Sequence, residues 1–186
     1  MESNKLKTYL DIAVYNFDNK DYNYQPFLTD KLTNKPLDKI NQNWINEVVL
    51  WKLNRYVKLE EETIELLNSP AMLAGSFDES FTRIILKKLL TTHGIRLAMA
   101  STLLRFRNPA FYQILDQRAY RFVYGHSLNL KTGVTDGAFN QQIDLYIGYL
   151  QKLHEISIEK NWRFEELDQI LYLLDIKYND EEKIKY

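Results

Sequence analysis

Residues 90–121 constrain this chain most, because a single glycine interrupts an otherwise helical pattern. Gly94 can adopt a positive φ without the Cβ penalty that other residues carry. The apolar residues on either side recur at helical spacing rather than alternating. The pattern therefore predicts helices near 79–91 and 96–106, joined by a tight turn at 92–95.

The rest of the chain also favours helices. Asp38 is expected to cap a long helix to about Tyr56, with Trp44 and Trp51 on a buried stripe. Residues 17–37 are rich in Asn and Asp and are interpreted as an irregular loop. The remaining helices are expected at 5–16, at 60–67, at 138–159 and from Asn161 to Asp175. A capping box of Ser76 and Glu79 is expected to begin the helix before Gly94, and a further helix is expected to begin at Asp116. No strand-like alternation competes, so the sequence predicts an all-α fold of about eight helices.

Length and composition predict one compact unit. The chain has 186 residues, of which 45% are apolar, and this is enough for one sizeable core. Residues 77–124 would form a central unit, with flanking helices in 1–70 and 137–175 and a charged tail at 177–186.

The charge of the chain is unevenly distributed although its net value is −1. Residues 80–125 hold eight basic residues against Asp116 alone, an excess of seven. We call these eight residues the basic island: Arg83, Lys87, Lys88, Arg96, Arg105, Arg107, Arg118 and Arg121. The island indicates a phosphate-facing surface, and the alternative is a set of solvated helix faces that happen to be basic.

The turn at 92–95 is the natural place for a phosphate contact. The first amide groups of the helix that follows lack intrahelical partners and lie at the positive end of the helix dipole. Such a helix start suits an anion. The candidate phosphate-binding residues are His93, Gly94, Ile95 and Arg96, together with Lys87 and Lys88.

One run of residues resembles a known family. Gly94-Ile95, Ala100, Pro109, Ile114-Leu115-Asp116 and Arg121 occur in an order similar to that of the helix-hairpin-helix DNA glycosylase superfamily, which includes endonuclease III and the 8-oxoguanine and adenine glycosylases. The resemblance covers roughly 77–175 and is strongest over 90–121. It implies two helical lobes around a central helix-hairpin-helix, with duplex DNA as the partner and base excision repair as the process.

The same resemblance implies that Asp116 is catalytic. A carboxylate near the anomeric carbon would stabilise the positive charge that develops when an N-glycosidic bond breaks. Family members that also cleave the strand carry a lysine where this chain has Ala98, so the resemblance implies a monofunctional hydrolase. Arg118 and Arg121 would support the site, and Arg121 would bind a phosphate or pair with Asp116.

A different interpretation of the same residues stays open. Asp116 precedes a helix and suits an ordinary N-cap. The run from Thr92 to Arg96 keeps only the first of the two glycines of the family hairpin. The missing second glycine and the modest net charge favour a non-catalytic module that binds DNA or a protein partner through the hairpin. A third alternative is a helical interaction protein whose resemblance to the family is architectural only.

The sequence predicts no metal site and no cofactor. It contains no cysteine, which excludes disulfides, zinc–thiolate sites and the iron–sulfur cluster of some endonuclease III relatives. His126 and His154 are not spaced as metal ligands. The resemblance leaves room for a monovalent cation at the hairpin. We expect a cytoplasmic protein without membrane association, and the sequence leaves its oligomeric state open.

Overall fold

The computed structural model describes residues 25–34, 41–54, 56–130 and 133–179. Within these ranges the chain forms eight α-helices and no strand, which confirms the predicted all-α fold. The predicted helices on either side of Gly94 are also confirmed, at Glu79–Thr91 and Leu97–Arg107.

The chain divides into two units between Tyr56 and Val57. In the first unit, helices α1 and α2 span Pro26–Thr33 and Gln42–Lys52 and contact each other. The second unit contains α3 (Glu61–Asn68), α4 (Glu79–Thr91), α5 (Leu97–Arg107), α6 (Gln117–Tyr124), α7 (Asp136–Lys160) and α8 (Leu167–Asn179). The expected single compact unit, with two lobes around a helix-hairpin-helix, stays a prediction.

The loop predicted for residues 17–37 is wrong for its described part, because α1 begins at Pro26. Proline lacks the backbone N–H that the first turn of a helix leaves unpaired in any case, so Pro26 suits the start of α1. Asn41 rather than Asp38 caps α2, through its side-chain bond from the Trp44 amide at 2.9 Å. Asp38 and the helix predicted at 5–16 lie outside the described residues.

The buried stripe predicted for the second helix is also wrong, since no residue of α2 is buried. Trp44 and Trp51 are half-buried. The Trp51 indole nitrogen donates to Thr29 Oγ1 at 2.8 Å, which connects α2 to α1. An indole N–H needs such a polar partner wherever it leaves water.

Asp78 and not Ser76 caps α4, because its side chain lies directly before the helix and accepts from the Phe81 amide at 2.9 Å. The helical spacing of Phe81, Ile84, Ile85 and Leu89 predicts that all four face inward. This prediction is largely confirmed, because Phe81, Ile85 and Leu89 are in the core, but Ile84 is 53% exposed.

The predicted role of Asn161 is reversed, since Asn161 ends α7 with a left-handed backbone instead of starting the last helix. Asparagine tolerates this conformation better than most residues. A 3₁₀ turn at Phe164–Glu166 follows, and α8 then continues to Asn179, into the predicted charged tail. Residues 180–186 lie outside the described residues.

One hydrophobic core holds the second unit together. Helices α4, α5 and α7 contribute most of it, and α6 packs against α8. Along α7, a spacing of four, three, four and three residues predicts one buried stripe, and all of its members are in this core: Phe139, Ile143, Tyr146, Leu150 and Leu153. The α4–α5 turn and Asp116 are thus both attached to a packed framework.

Candidate nucleic-acid interface

The turn between α4 and α5 has the geometry that the sequence predicts for it. Gly94 has φ +87°, and the Ile95 amide donates to the Thr92 carbonyl at 3.1 Å. A side chain at position 94 would be strained by this φ. His93, Gly94 and Arg96 are exposed, whereas the Ile95 side chain is buried and anchors the turn.

The start of α5 has no side-chain cap. The first helical hydrogen bond runs from the Ala100 amide to the Arg96 carbonyl at 2.9 Å. For the amides of Leu97, Ala98 and Met99, the described part of the chain provides no acceptor. Leu97 is fully buried, whereas Ala98 and Met99 are exposed, so the N–H groups of Ala98 and Met99 can bind an oxygen atom from outside.

A surface depression of about 800 Å³ lies beside this turn. His93, Gly94 and Arg96 line it together with apolar residues that include Ile95 and Phe139. The turn thus borders open space on this side, where a ligand can reach it.

Most of the basic island is engaged in ion pairs with carboxylates from other parts of the second unit. On α4, Arg83 contacts Asp144 at 2.7 Å and Glu79 at 3.0 Å. The adjacent lysines, predicted to bind phosphate, are also paired: Lys87 with Asp136 at 3.2 Å and Lys88 with Glu62 at 2.6 Å.

The island arginines of α5 and α6 are engaged as well. Arg105 lies 3.3 Å from Asp168, and Arg107 donates to the Leu67 carbonyl at 2.7 Å. Six carboxylates thus contact the island, and they reduce its excess of seven charges to about one. Arg96 is the island cation for which the described residues provide no partner.

Arg118 and Arg121 contact Asp175, and neither pairs with Asp116. Asp175 is fully buried and accepts from Arg121 Nη2 at 2.7 Å and from Arg118 Nη1 at 3.3 Å. Burial acts to raise the pKa of Asp175, but the bonds from Arg121 and Asn179 outweigh it and hold this pKa below its ordinary value. Both arginines therefore fasten α6 to α8.

Asp116 is half-buried and caps α6, as one of the two interpretations of the sequence predicts. Its Oδ1 atom accepts from the Ala119 amide at 2.7 Å. Burial raises the pKa of this carboxyl, and the amides of Ala119 and Arg118 oppose the shift. The charges of Asp168 and Asp175 raise it further, and within the described part of the chain no arginine forms an ion pair with Asp116.

Asp168, which pairs with Arg105, and Asp175, which pairs with Arg118 and Arg121, were not predicted from the sequence. They are seven residues apart on α8 and share the buried face of that helix with Leu171. A buried carboxylate requires a cationic or hydrogen-bonding partner. An Asp at core spacing, in a chain with an excess of arginines in another segment, therefore indicates a buried Asp–Arg pair, and this signal is present in the sequence.

The described residues lack two features, a cluster of metal-ligating side chains and a membrane-spanning helix. These residues contain no group of three or more His, Asp or Glu side chains arranged to hold a metal ion. None of their helices combines the length and apolar character required to cross a membrane.

Comparison with protein families, with curated proteins and with solved structures finds no match to this chain. The resemblance to the helix-hairpin-helix DNA glycosylases therefore stays a prediction, based on the residues from Gly94 to Arg121.

Proposed function

We propose that this chain binds the sugar–phosphate backbone of duplex DNA at the α4–α5 turn, through one narrow contact at the start of α5. The observation that carries the proposal is the pair of exposed amides at Ala98 and Met99, which have no acceptor among the described residues and lie next to the exposed Arg96. Backbone N–H groups and a guanidinium together match the oxygens of a phosphate.

The ion pairs of the two lysines on α4 restrict the proposed contact to Arg96 and the amides beside it. Lys87 and Lys88 would have to leave Asp136 and Glu62 in order to bind phosphates, and nearby carboxylates would repel the DNA. Arg96 requires no such exchange. The proposal therefore differs from the broad basic surface that the sequence predicts.

Binding of a fluorescent duplex to two neutralised variants tests this proposal. Arg96→Gln should weaken binding by about fivefold or more, because it removes the cation beside the amides. Lys88→Gln is the matched control, and it should change binding by less than about twofold. Equal losses in both variants, or no loss in Arg96→Gln, would contradict the proposal.

A second candidate function is hydrolysis of an N-glycosidic bond at Asp116. It is favoured by the half-buried Asp116 carboxylate, for which the described residues provide no cationic partner, at the start of the second helix after the Gly94 turn. An unneutralised carboxylate stabilises a developing sugar cation better than a paired one does.

Base release from duplexes with alkylated, oxidised or deaminated bases tests this second candidate. Asp116→Asn should abolish release and leave the unfolding free energy within about 0.5 kcal/mol, since Asn caps a helix about as well as Asp. Borohydride should trap no covalent complex, because Ala98 supplies no amine. If the wild type releases none of these bases, the phosphate-binding module remains.

A further inference from the structure

The segment Tyr112–Asp116 connects α5 to α6 without regular secondary structure, although it is largely buried. Tyr112, Gln113 and Leu115 are each at most 3% exposed. Buried backbone groups outside helices and strands require other hydrogen-bond partners. From the Gln113 carbonyl to the Leu115 amide, those partners are side chains.

Four successive backbone groups of this segment bind side chains from three helices. The Gln113 carbonyl accepts from the Tyr146 hydroxyl at 2.9 Å, and the Ile114 carbonyl accepts from the Tyr149 hydroxyl at 3.3 Å. The Ile114 amide donates to Asp168 Oδ2 at 3.4 Å, and the Leu115 amide donates to Ser101 Oγ at 3.0 Å.

We propose that Ser101 and Tyr149 are positioning residues for Asp116, which they act on through the backbone of Ile114 and Leu115. The proposal rests on the second candidate function, in which the carboxylate of Asp116 acts on DNA. It concerns where that carboxylate is held and not how it reacts.

Ser101 is well suited to this role, because both of its hydrogen-bonding functions are engaged. Its hydroxyl donates to the Ala98 carbonyl at 2.8 Å, so the oxygen lone pair faces the Leu115 amide. Ser101 and Leu115 are both fully buried. Without this oxygen the Leu115 amide would be buried and unpaired, and the residue before Asp116 would have to shift to reach another acceptor.

Tyr149, on α7, restrains Ile114, the residue before Leu115. Its side chain is fully buried, and its hydroxyl has the Ile114 carbonyl as acceptor. Burial raises the pKa of this hydroxyl well above its ordinary value, and the charge of Asp116 adds to the shift. The hydroxyl therefore stays protonated at neutral pH and remains a donor to the Ile114 carbonyl.

Three variants separate positioning from ordinary core stability. Ser101→Ala and Tyr149→Phe each remove one hydroxyl from the segment before Asp116. Ser157→Ala is the matched control, because its hydroxyl bonds the Trp162 carbonyl at 2.7 Å elsewhere on α7. The two readouts are the carboxyl pKa of Asp116, titrated by NMR, and the exchange rate of the Ala119 amide relative to amides of α7.

Ser101→Ala and Tyr149→Phe should lower the pKa of Asp116 towards its ordinary value, because a displaced carboxyl is better solvated. Exchange of the Ala119 amide should accelerate by about tenfold, since its acceptor moves with the carboxyl. Ser157→Ala should leave both quantities unchanged. An unchanged pKa and exchange rate in Ser101→Ala and Tyr149→Phe would overturn the proposal.

Tyr149→Phe decides the question alone if Ser101→Ala does not fold. Both readouts are made on the free protein, so they are independent of DNA. Absence of base release from the wild type would remove the second candidate function and leave this result standing. Release combined with unchanged readouts would instead reject only the positioning role.

Discussion

The salt dependence of DNA binding follows directly from the ion pairs of the basic island. Each phosphate that a cation neutralises contributes about −0.9 to the slope of log K against log salt. Arg96 is the island cation without a partner in the described part of the chain, so the structure predicts a slope of about −1. A surface that used all eight island residues would give about −7.

These two slopes are far apart in a simple experiment. Between about 50 mM and about 200 mM salt, one contact weakens binding about fourfold, whereas eight contacts weaken it more than about ten-thousandfold. Fluorescence anisotropy with a labelled duplex, at high protein concentration, measures the slope. Arg96→Gln should bring it close to zero. A wild-type slope steeper than about −4 would show that the lysines and arginines leave their carboxylates for phosphates. It would contradict a single phosphate contact at Arg96.

Two further predictions concern stability. Asp175→Ala should lower the unfolding free energy in urea by about 3–5 kcal/mol, because it leaves the buried Arg121 without its carboxylate. The pKa of Asp175 lies below its ordinary value. Asp175 therefore stabilises the fold fully at pH values above that ordinary pKa, and this stabilisation is lost as the pH falls through the lowered pKa. A loss below about 1 kcal/mol would contradict the pairing. Gly94→Ala should lower the unfolding free energy by about 1–2 kcal/mol, because Gly94 has a φ of +87°. Gly148→Ala should raise the unfolding free energy by about 0.5–1 kcal/mol, because Gly148 lies inside α7 with open space around it. Equal effects of the two substitutions would contradict the strained turn.

The local elements around the turn were predictable from sequence. Gly94 and the helical spacing on both sides determine two helices and a turn, and these depend on neighbours in the chain. The cap at Asp116 is equally local, because its oxygen bonds an amide three residues away. The positions of α4, α5 and α6 could therefore be predicted closely.

The electrostatic environment of the basic island was not predictable in the same way. Whether Lys88 faces a phosphate or Glu62 depends on how α3 packs against α4, and the two residues are 26 positions apart. Arg121 and Asp175 are 54 positions apart. Counting charges along a segment misses such partners, so the sequence predicted a broad basic surface where the structure forms ion pairs.

An NMR titration of the amides at the start of α5 tests whether the α4–α5 turn binds a phosphate of DNA. With nitrogen-15-labelled protein and a short duplex, we expect the largest chemical-shift changes at the exposed amides of Ala98 and Met99, with smaller ones at Leu97 and around Gly94. Inorganic phosphate should move the same amides in the same direction. Shifts concentrated at Lys87 and Lys88, or an unchanged start of α5 at saturating DNA, would contradict the claim that this turn holds the phosphate.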